Sequence, residues 1–352
     1  MKSAPLTRRG FVKNAAMTPL LLSAAMSADG WAAGNFDPWS NVDPELAAAL
    51  KKFPQNVEAP NARNLAALRA GDTPSSVSKA PELQPRKTTV PGPAGQKDVP
   101  VLIIDPKPGG KNRPATVYIH GGGYVLGSAG GNLQLAQDIA QATGSLVVSV
   151  DYTLAPEAVF PIAREQNYAA LAWVHENAGK LGIDRNRIAV MGDSAGGGHA
   201  AMLAIAARDR GKYKIAYQCL IYPMLDDRTG STQRVPSHIG HFIWTEAANR
   251  FGWSSLLGVP AGSTSPPPGA VPARTTNLAG LPPTFIGVGD IDLFIAEDLD
   301  YAKRLALAGV STELHVVPGA YHGFDVVTRD AKLTVQFRNA WQSALRRGLG
   351  VG

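Results

Sequence analysis

The sequence predicts an α/β fold, with a mainly parallel central sheet flanked by helices and interrupted by a cap. Short β-branched runs alternate with helical stretches of about a dozen residues or more, the pattern of parallel strands joined by crossover helices. Two glycine-rich turns, His120-Gly121-Gly122-Gly123 and Gly192-Asp193-Ser194-Ala195-Gly196, each follow an apolar strand. In such sheets ligands bind at the carboxyl ends of the strands, where both turns would lie. The alternation stops at Asp226 and resumes at Thr284, which marks residues 225–280 as a cap insertion.

Composition narrows the function classes. The chain has 352 residues, 45% of them hydrophobic, as in a globular core and too few for a polytopic membrane protein. The net charge of +6 is uneven: residues 1–33 hold Lys2, Arg8, Arg9 and Lys13 against Asp29, a net +3. The remaining +3 forms no basic stripe, so no nucleic-acid partner is expected. The single Cys219 cannot form an intramolecular disulfide; within an apolar strand it reads as a small buried hydrophobe. His238 and His241 are three apart but lack carboxylate partners, so neither a metal nor an organic cofactor is expected.

Residues 1–33 read as a signal peptide. Thr7-Arg8-Arg9-Gly10-Phe11-Val12-Lys13 resembles the twin-arginine export signal of bacteria. The apolar run at 15–26 contains Thr18, Pro19 and Ser23. As a helix it would span about 18 Å against roughly 30 Å of hydrocarbon, so it is no stable membrane anchor. A periplasmic or secreted location follows as an expectation. Residues 34–87 read as lead-in helices and a linker. Asp43 and Pro44 open one helix over 43–50, Gly71 closes another over 61–71, and a connection follows over 74–85.

Residues 88–224 supply the first part of the α/β domain. Strands are expected at 99–104, 115–119, 145–150, 187–190 and 215–222, with helices at 133–142, 163–182 and 199–207. At the strand-to-helix corner, Gly192 and Gly196 leave room for a tight turn that holds out the Ser194 hydroxyl. The three glycines after His120 bare backbone N–H groups that a ligand can approach. Residues 281–352 complete the domain with a strand at 284–288, a helix at 297–308 and a strand at 313–317. Asp290 and Asp292 follow the first of these strands, and His322 follows the last.

These motifs, in this order and spacing, together with Asp151-Tyr152-Thr153-Leu154-Ala155-Pro156-Glu157, resemble the hormone-sensitive-lipase-like esterases, the bacterial family IV of the α/β hydrolases. The resemblance runs from about residue 85 to 345. It implies the α/β-hydrolase fold, a helical cap shared by residues 34–85 and the 225–280 insertion, and cis bonds at Ala155-Pro156 and Phe160-Pro161. It also implies a serine hydrolase acting on small-molecule carboxylic esters of short- to medium-chain acids, with catalytic Ser194, Asp292 and His322 and an oxyanion hole of Gly122, Gly123 and Ala195.

Of the seven histidines, His322 alone lies in a loop just past a late strand. For the acid, the family pattern places an apolar residue two positions later and Glu five later. Phe294 and Glu297 match Asp292, leaving Asp290 to cap the turn. Tyr124, Phe242 and Trp244 are candidates for the substrate pocket, although Phe242 and Trp244 would serve equally as the cap's own core. The same residues would suit an amidase, a peptidase or an acetyl esterase acting on polymers. A non-catalytic binder on this fold is disfavoured by the presence of His322.

Overall fold

The computed structural model describes residues 36–53, 58–71 and 79–351. The export signal expected over 1–33 lies outside the described residues, as do residues 74–78 of the 74–85 connection.

Eight strands form one sheet: β1 (Arg86–Val90), β2 (Val99–Ile104), β3 (Arg113–Ile119), β4 (Leu146–Val150), β5 (Ile183–Asp193), β6 (Tyr217–Ile221), β7 (Thr284–Gly289) and β8 (Thr312–Val317). Their order is β1-β2-β4-β3-β5-β6-β7-β8. From β4 to β8 every pairing is parallel, while β1 and β2 pair antiparallel at one edge. Ile119 stands opposite Gly192 and Asp193 opposite Ile221, so β3, β5 and β6 finish side by side at the end where the glycine turns begin. β1 is not expected from the sequence. It is an edge strand whose Arg86, Lys87, Thr88 and Thr89 are not buried, so no apolar alternation announces it.

The helices are α1 (Pro44–Leu50), α2 (Leu65–Ala70), α3 (Leu133–Thr143), α4 (Ile162–Glu176), α5 (Ala178–Leu181), α6 (Ala195–Arg210), α7 (Glu246–Leu257), α8 (Ile295–Leu307), α9 (Phe324–Val327) and α10 (Lys332–Gly348). The helix expected over 163–182 divides at Asn177, whose side-chain amide donates to Trp173 O at 2.9 Å. The helix expected over 61–71 begins only at Leu65. Asn61 Oδ1 accepts from Arg63 N at 2.9 Å, and Asn64 Oδ1 accepts from Asn61 N at 2.8 Å, so the asparagines build a turn in place of a first helical turn.

The alternation of side chains along the strands sorts the core onto two faces. Val117, Ile119, Ile188 and Val190 pack with α4, α6 and α8; Tyr118, Ala189 and Met191 pack with α3 and α10. A third apolar cluster lies under the cap and joins Leu65 of α2 to Tyr124, Val125, Trp244, Trp253 and Leu256. The N-terminal lead-in therefore splits. Leu65 of α2 packs in this third cluster, whereas Leu46 and Leu50 of α1 are buried with Val317, Ala320 and Phe324 beside the last strand. Two polar ties hold α1 there. Asp43 N donates to Gly319 O at 3.0 Å, and Glu45 Oε2 accepts from Lys332 N at 2.9 Å at the start of α10. Both X-Pro bonds named above, Ala155-Pro156 and Phe160-Pro161, are cis.

Candidate active site

Ser194 sits between β5 and α6 with φ 55° and ψ −123°, a conformation that L-residues adopt only under constraint. The constraint is visible. Ser194 N donates to Ile221 O at 2.8 Å, and Ser194 O accepts from Gly198 N at 3.0 Å and Met224 N at 2.9 Å. The two flanking glycines are needed sterically. A Cβ at Gly192 would lie 2.2 Å from Gly196 O, and one at Gly196 would lie 2.0 Å from Ile119 O. The hydroxyl is thus presented at the positive end of α6, which favours negative charge nearby.

His322 and Asp292 reach Ser194 from the ends of β8 and β7. His322 Nε2 lies 2.9 Å from Ser194 Oγ, and His322 Nδ1 lies 2.8 Å from Asp292 Oδ2. Asp292 is fully buried, and its Oδ1 accepts from Phe294 N at 2.9 Å, which fixes the carboxylate plane. Tyr222 and Phe294 present ring edges to the imidazole at centroid distances of 4.8 and 5.0 Å. Asp290 points elsewhere: its Oδ1 accepts from Gly319 N at 2.7 Å and closes the turn. Glu297, on the first turn of α8, is buried and accepts from Leu225 N at 2.6 Å, from Asp226 N at 3.2 Å and from the Thr229 hydroxyl. It ties the start of the cap insertion to the helix that follows Asp292.

The His120–Gly123 loop closes the site from the side. His120 is buried and stacks on Tyr152 at 4.3 Å, and the Tyr152 hydroxyl donates to His120 O at 2.9 Å. Gly122 O accepts from Val125 N at 3.1 Å and Leu126 N at 2.8 Å, forming a tight turn. No acceptor among the described residues takes the N–H of Gly122 or Gly123. Gly123 has φ 60° and passes directly beneath the cap: a Cβ there would lie 1.9 Å from Trp244 Cη2. Ala195, buried, begins α6 with its N–H at the helix's free end.

A cavity of about 420 Å³ joins these parts, bordered by Gly122, Gly123, Ser194 and His322. Its walls are mostly apolar: Leu68 from α2, Leu126, Ile243, Trp244, Val326 and Val327. Trp244 is pinned by Nε1, which donates to Asn249 Oδ1 at 3.3 Å, while Asn249 Nδ2 donates to Thr229 O at 2.8 Å. The other two pocket candidates are corrected. Tyr124 does not face the cavity. Its φ of 68° turns the side chain into the cap core, where the hydroxyl donates to Met224 O at 2.8 Å and the ring meets Trp253 at 4.9 Å. Phe242 also faces away, packing on Trp39 at 4.8 Å and Tyr321 at 5.9 Å. Ile243, next in the chain with φ 63°, takes the lining position instead. A larger groove of about 790 Å³, bordered by Lys212, Lys214 and Pro283, lies at the amino ends of the strands and holds none of the site residues.

Two carboxyls absent from the sequence-based assignment lie near the histidine, Asp193 buried and Asp325 partly so. Asp193 precedes the serine; burial raises its carboxyl to about 6, partly opposed by the Tyr118 hydroxyl that donates to Oδ1 at 2.7 Å. Asp325 accepts from the Tyr222 hydroxyl at 2.7 Å and is also raised by burial. The sequence carries a weak signal for Asp193, an acid within the elbow, and none for its partner Tyr118 one strand away.

The family of α/β hydrolase fold proteins matches residues 116–326. The carboxylesterase NlhH of Mycobacterium tuberculosis is 35% identical over 288 residues, covering 81% of this chain and 89% of that protein. Among solved structures, a bacterial heroin esterase superposes with a TM-score of 0.77 at 36% identity, covering 89% of this chain and 99% of that one. Esterase LipW of Mycobacterium marinum gives a TM-score of 0.77 at 33% identity over 88% of this chain and 96% of that one.

Proposed function

The chain belongs to the hormone-sensitive-lipase-like α/β hydrolases and is an ester-hydrolysing enzyme, and from this premise we propose that it cleaves short- to medium-chain carboxylic esters through a Ser194-His322-Asp292 triad. The observation that carries the proposal is the continuous hydrogen-bonded series from Ser194 Oγ through the imidazole to a fully buried Asp292, opening onto one apolar cavity.

In this reading His322 Nε2 accepts the Ser194 proton as Oγ attacks the ester carbonyl. Asp292 accepts the Nδ1 proton's hydrogen bond throughout, which holds the tautomer and stabilises the imidazolium. The oxyanion that develops is met by the N–H groups of Gly122, Gly123 and Ala195, each worth on the order of 3 kcal/mol in the transition state. His322 then returns its proton to the departing alkoxide, leaving an acyl-enzyme. A water molecule, deprotonated by the same nitrogen, cleaves that intermediate and releases the acid. The pocket volume and the fixed indole of Trp244 favour short acyl chains over long ones.

The test is a series of p-nitrophenyl esters of increasing chain length, with organophosphate labelling of the serine. Turnover falling steeply beyond short to medium chains, with Ser194→Ala inactive, unlabelled and still folded, is the expected result. Retained turnover in Ser194→Ala would overturn the assignment. We also propose that residues 1–33 direct export by the twin-arginine route. Replacing Arg8 and Arg9 by lysine should then hold the protein in the cytoplasm, as read by cell fractionation; unchanged export would exclude that route.

A further inference from the structure

One arginine ties the cap to the loop that carries the glycine amides. Arg69, on α2, donates from Nε to Val125 O at 2.8 Å and from Nη2 to Ala155 O at 2.7 Å. Nη1 and Nη2 also meet the two carboxylate oxygens of Glu157 at 2.8 and 3.0 Å. Val125 is two residues beyond Gly123 and belongs to the turn closed on Gly122 O. Ala155 is bonded to that same turn, its N–H donating to Tyr124 O at 2.9 Å. The guanidinium therefore bridges both loops that shape the glycine segment, and it comes from an element 56 residues earlier in the chain than Val125.

The ion pair itself cannot be the main purpose. The Glu157 side chain is 58% exposed, and exposed pairs contribute little. The two carbonyls are different, because Val125 and Ala155 are buried. A buried carbonyl that loses its donor is costly, and a turn that loses a fixed acceptor gains alternative conformations. Glu157 then serves to orient the planar fork, whose rigid donor geometry lets one side chain hold two loops at once. Leu65, one turn earlier on α2, packs in the apolar cluster of Tyr124, Val125 and Trp244 and seats the helix for this contact.

We propose that Arg69 is a positioning residue for ester hydrolysis, a cap side chain that holds the Gly122–Leu126 turn so that the Gly122 and Gly123 amides stay aimed at the oxyanion. It touches neither substrate nor the reacting atoms and acts through Val125. The proposal rests on the ester-hydrolase reading above. Its consequence is that the cap supplies part of the catalytic geometry as well as the roof of the pocket.

The experiment compares wild type with Arg69→Ala, Arg69→Lys and Glu157→Gln on p-nitrophenyl butyrate, with thermal melting of each and inhibition by an alkyl trifluoromethyl ketone that forms a tetrahedral adduct. In Arg69→Ala, kcat should fall about tenfold to a hundredfold while KM stays within about twofold, because the contact acts on groups used only in the transition state. The inhibition constant of the ketone should rise by the same factor as kcat falls. Glu157→Gln, which keeps both carbonyl bonds, should stay within about threefold of wild type, and Arg69→Lys should fall between. Unchanged kcat in Arg69→Ala, a rise in KM alone, or unchanged ketone inhibition would overturn the proposal. Should Arg69→Ala not fold, Arg69→Lys carries the same comparison. An inactive wild type or an active Ser194→Ala would instead refute the reading on which the proposal rests.

Discussion

On the sheet side of the cavity, Ser194 and His322 are held by hydrogen bonds and sterics of the backbone at the ends of β5 and β8. On the cap side, Trp244 is held by one indole bond of 3.3 Å to Asn249, and α2 by Leu65 and the Arg69 guanidinium. The first side leaves almost no choice of residue, since a Cβ on Gly192 or Gly196 would collide with backbone. The second is built from side chains that others could replace. Under the proposed function, the sheet ends carry the chemistry and the cap selects chain length, with the Gly122–Leu126 turn as the region where both act.

Substitutions on each side should therefore differ in kind as well as size. The largest effect after loss of Ser194 is expected for Asp292→Asn, which should lower kcat by roughly three to four powers of ten without unfolding the protein. Asp290→Asn, two residues away, should stay within about threefold, because Asp290 bonds Gly319 and not the imidazole. Equal losses in both variants would break the assignment of the acid. Next, Gly123→Ala should lower kcat/KM about a hundredfold, since the new methyl would meet the Trp244 ring and the φ of 60° would be strained. Pairing it with Trp244→Ala should recover part of that loss, and strictly additive losses would show that the two sides do not meet there.

Trp244→Ala alone should change selectivity more than rate. The ratio of kcat/KM for octanoate over acetate esters should rise about tenfold, as a wall of the apolar cavity is removed. An unchanged ratio would place chain-length selection elsewhere. The smallest expected effect is on stability. Asp193 titrates near 6 in the folded protein, above the ordinary carboxylate range, so its contribution is full below about pH 4 and is lost as pH rises through 6. Asp193→Asn should accordingly melt on the order of 3 °C above wild type at pH 7.5, with the difference vanishing near pH 4, as differential scanning fluorimetry would show.

The same division governs what the sequence reveals. The glycine turns and the order of Ser194, Asp292 and His322 are legible because steric and chemical demands at strand ends admit few residue types. In the structure these three side chains lie within hydrogen-bond distance of one another in series. Tyr124 and Phe242 are misjudged because both are aromatics beside the site, and their direction depends on backbone angles and packing partners that spacing does not encode. Arg69 and Tyr118 are invisible for a related reason: their partners lie 56 to 88 residues away. The fold is read most completely where apolar strands alternate with helices. It is missed at β1, a polar edge strand, and at α10, whose buried residues Phe337, Trp341, Ala344 and Leu345 are interspersed with charged and polar ones.

The seating of α1 bears on how the protein comes into being. Asp43 bonds Gly319 and Glu45 bonds Lys332, so α1 finds its partners far along the chain, 287 residues on in the case of Lys332. Contacts this distant are slow to form, because a long loop must close before any reward is felt. The growing polypeptide can assemble β3, β4 and β5 early, yet His322 and the surface that receives α1 are still unmade. On the proposed mechanism, a nascent chain therefore carries Ser194 before His322 has been made.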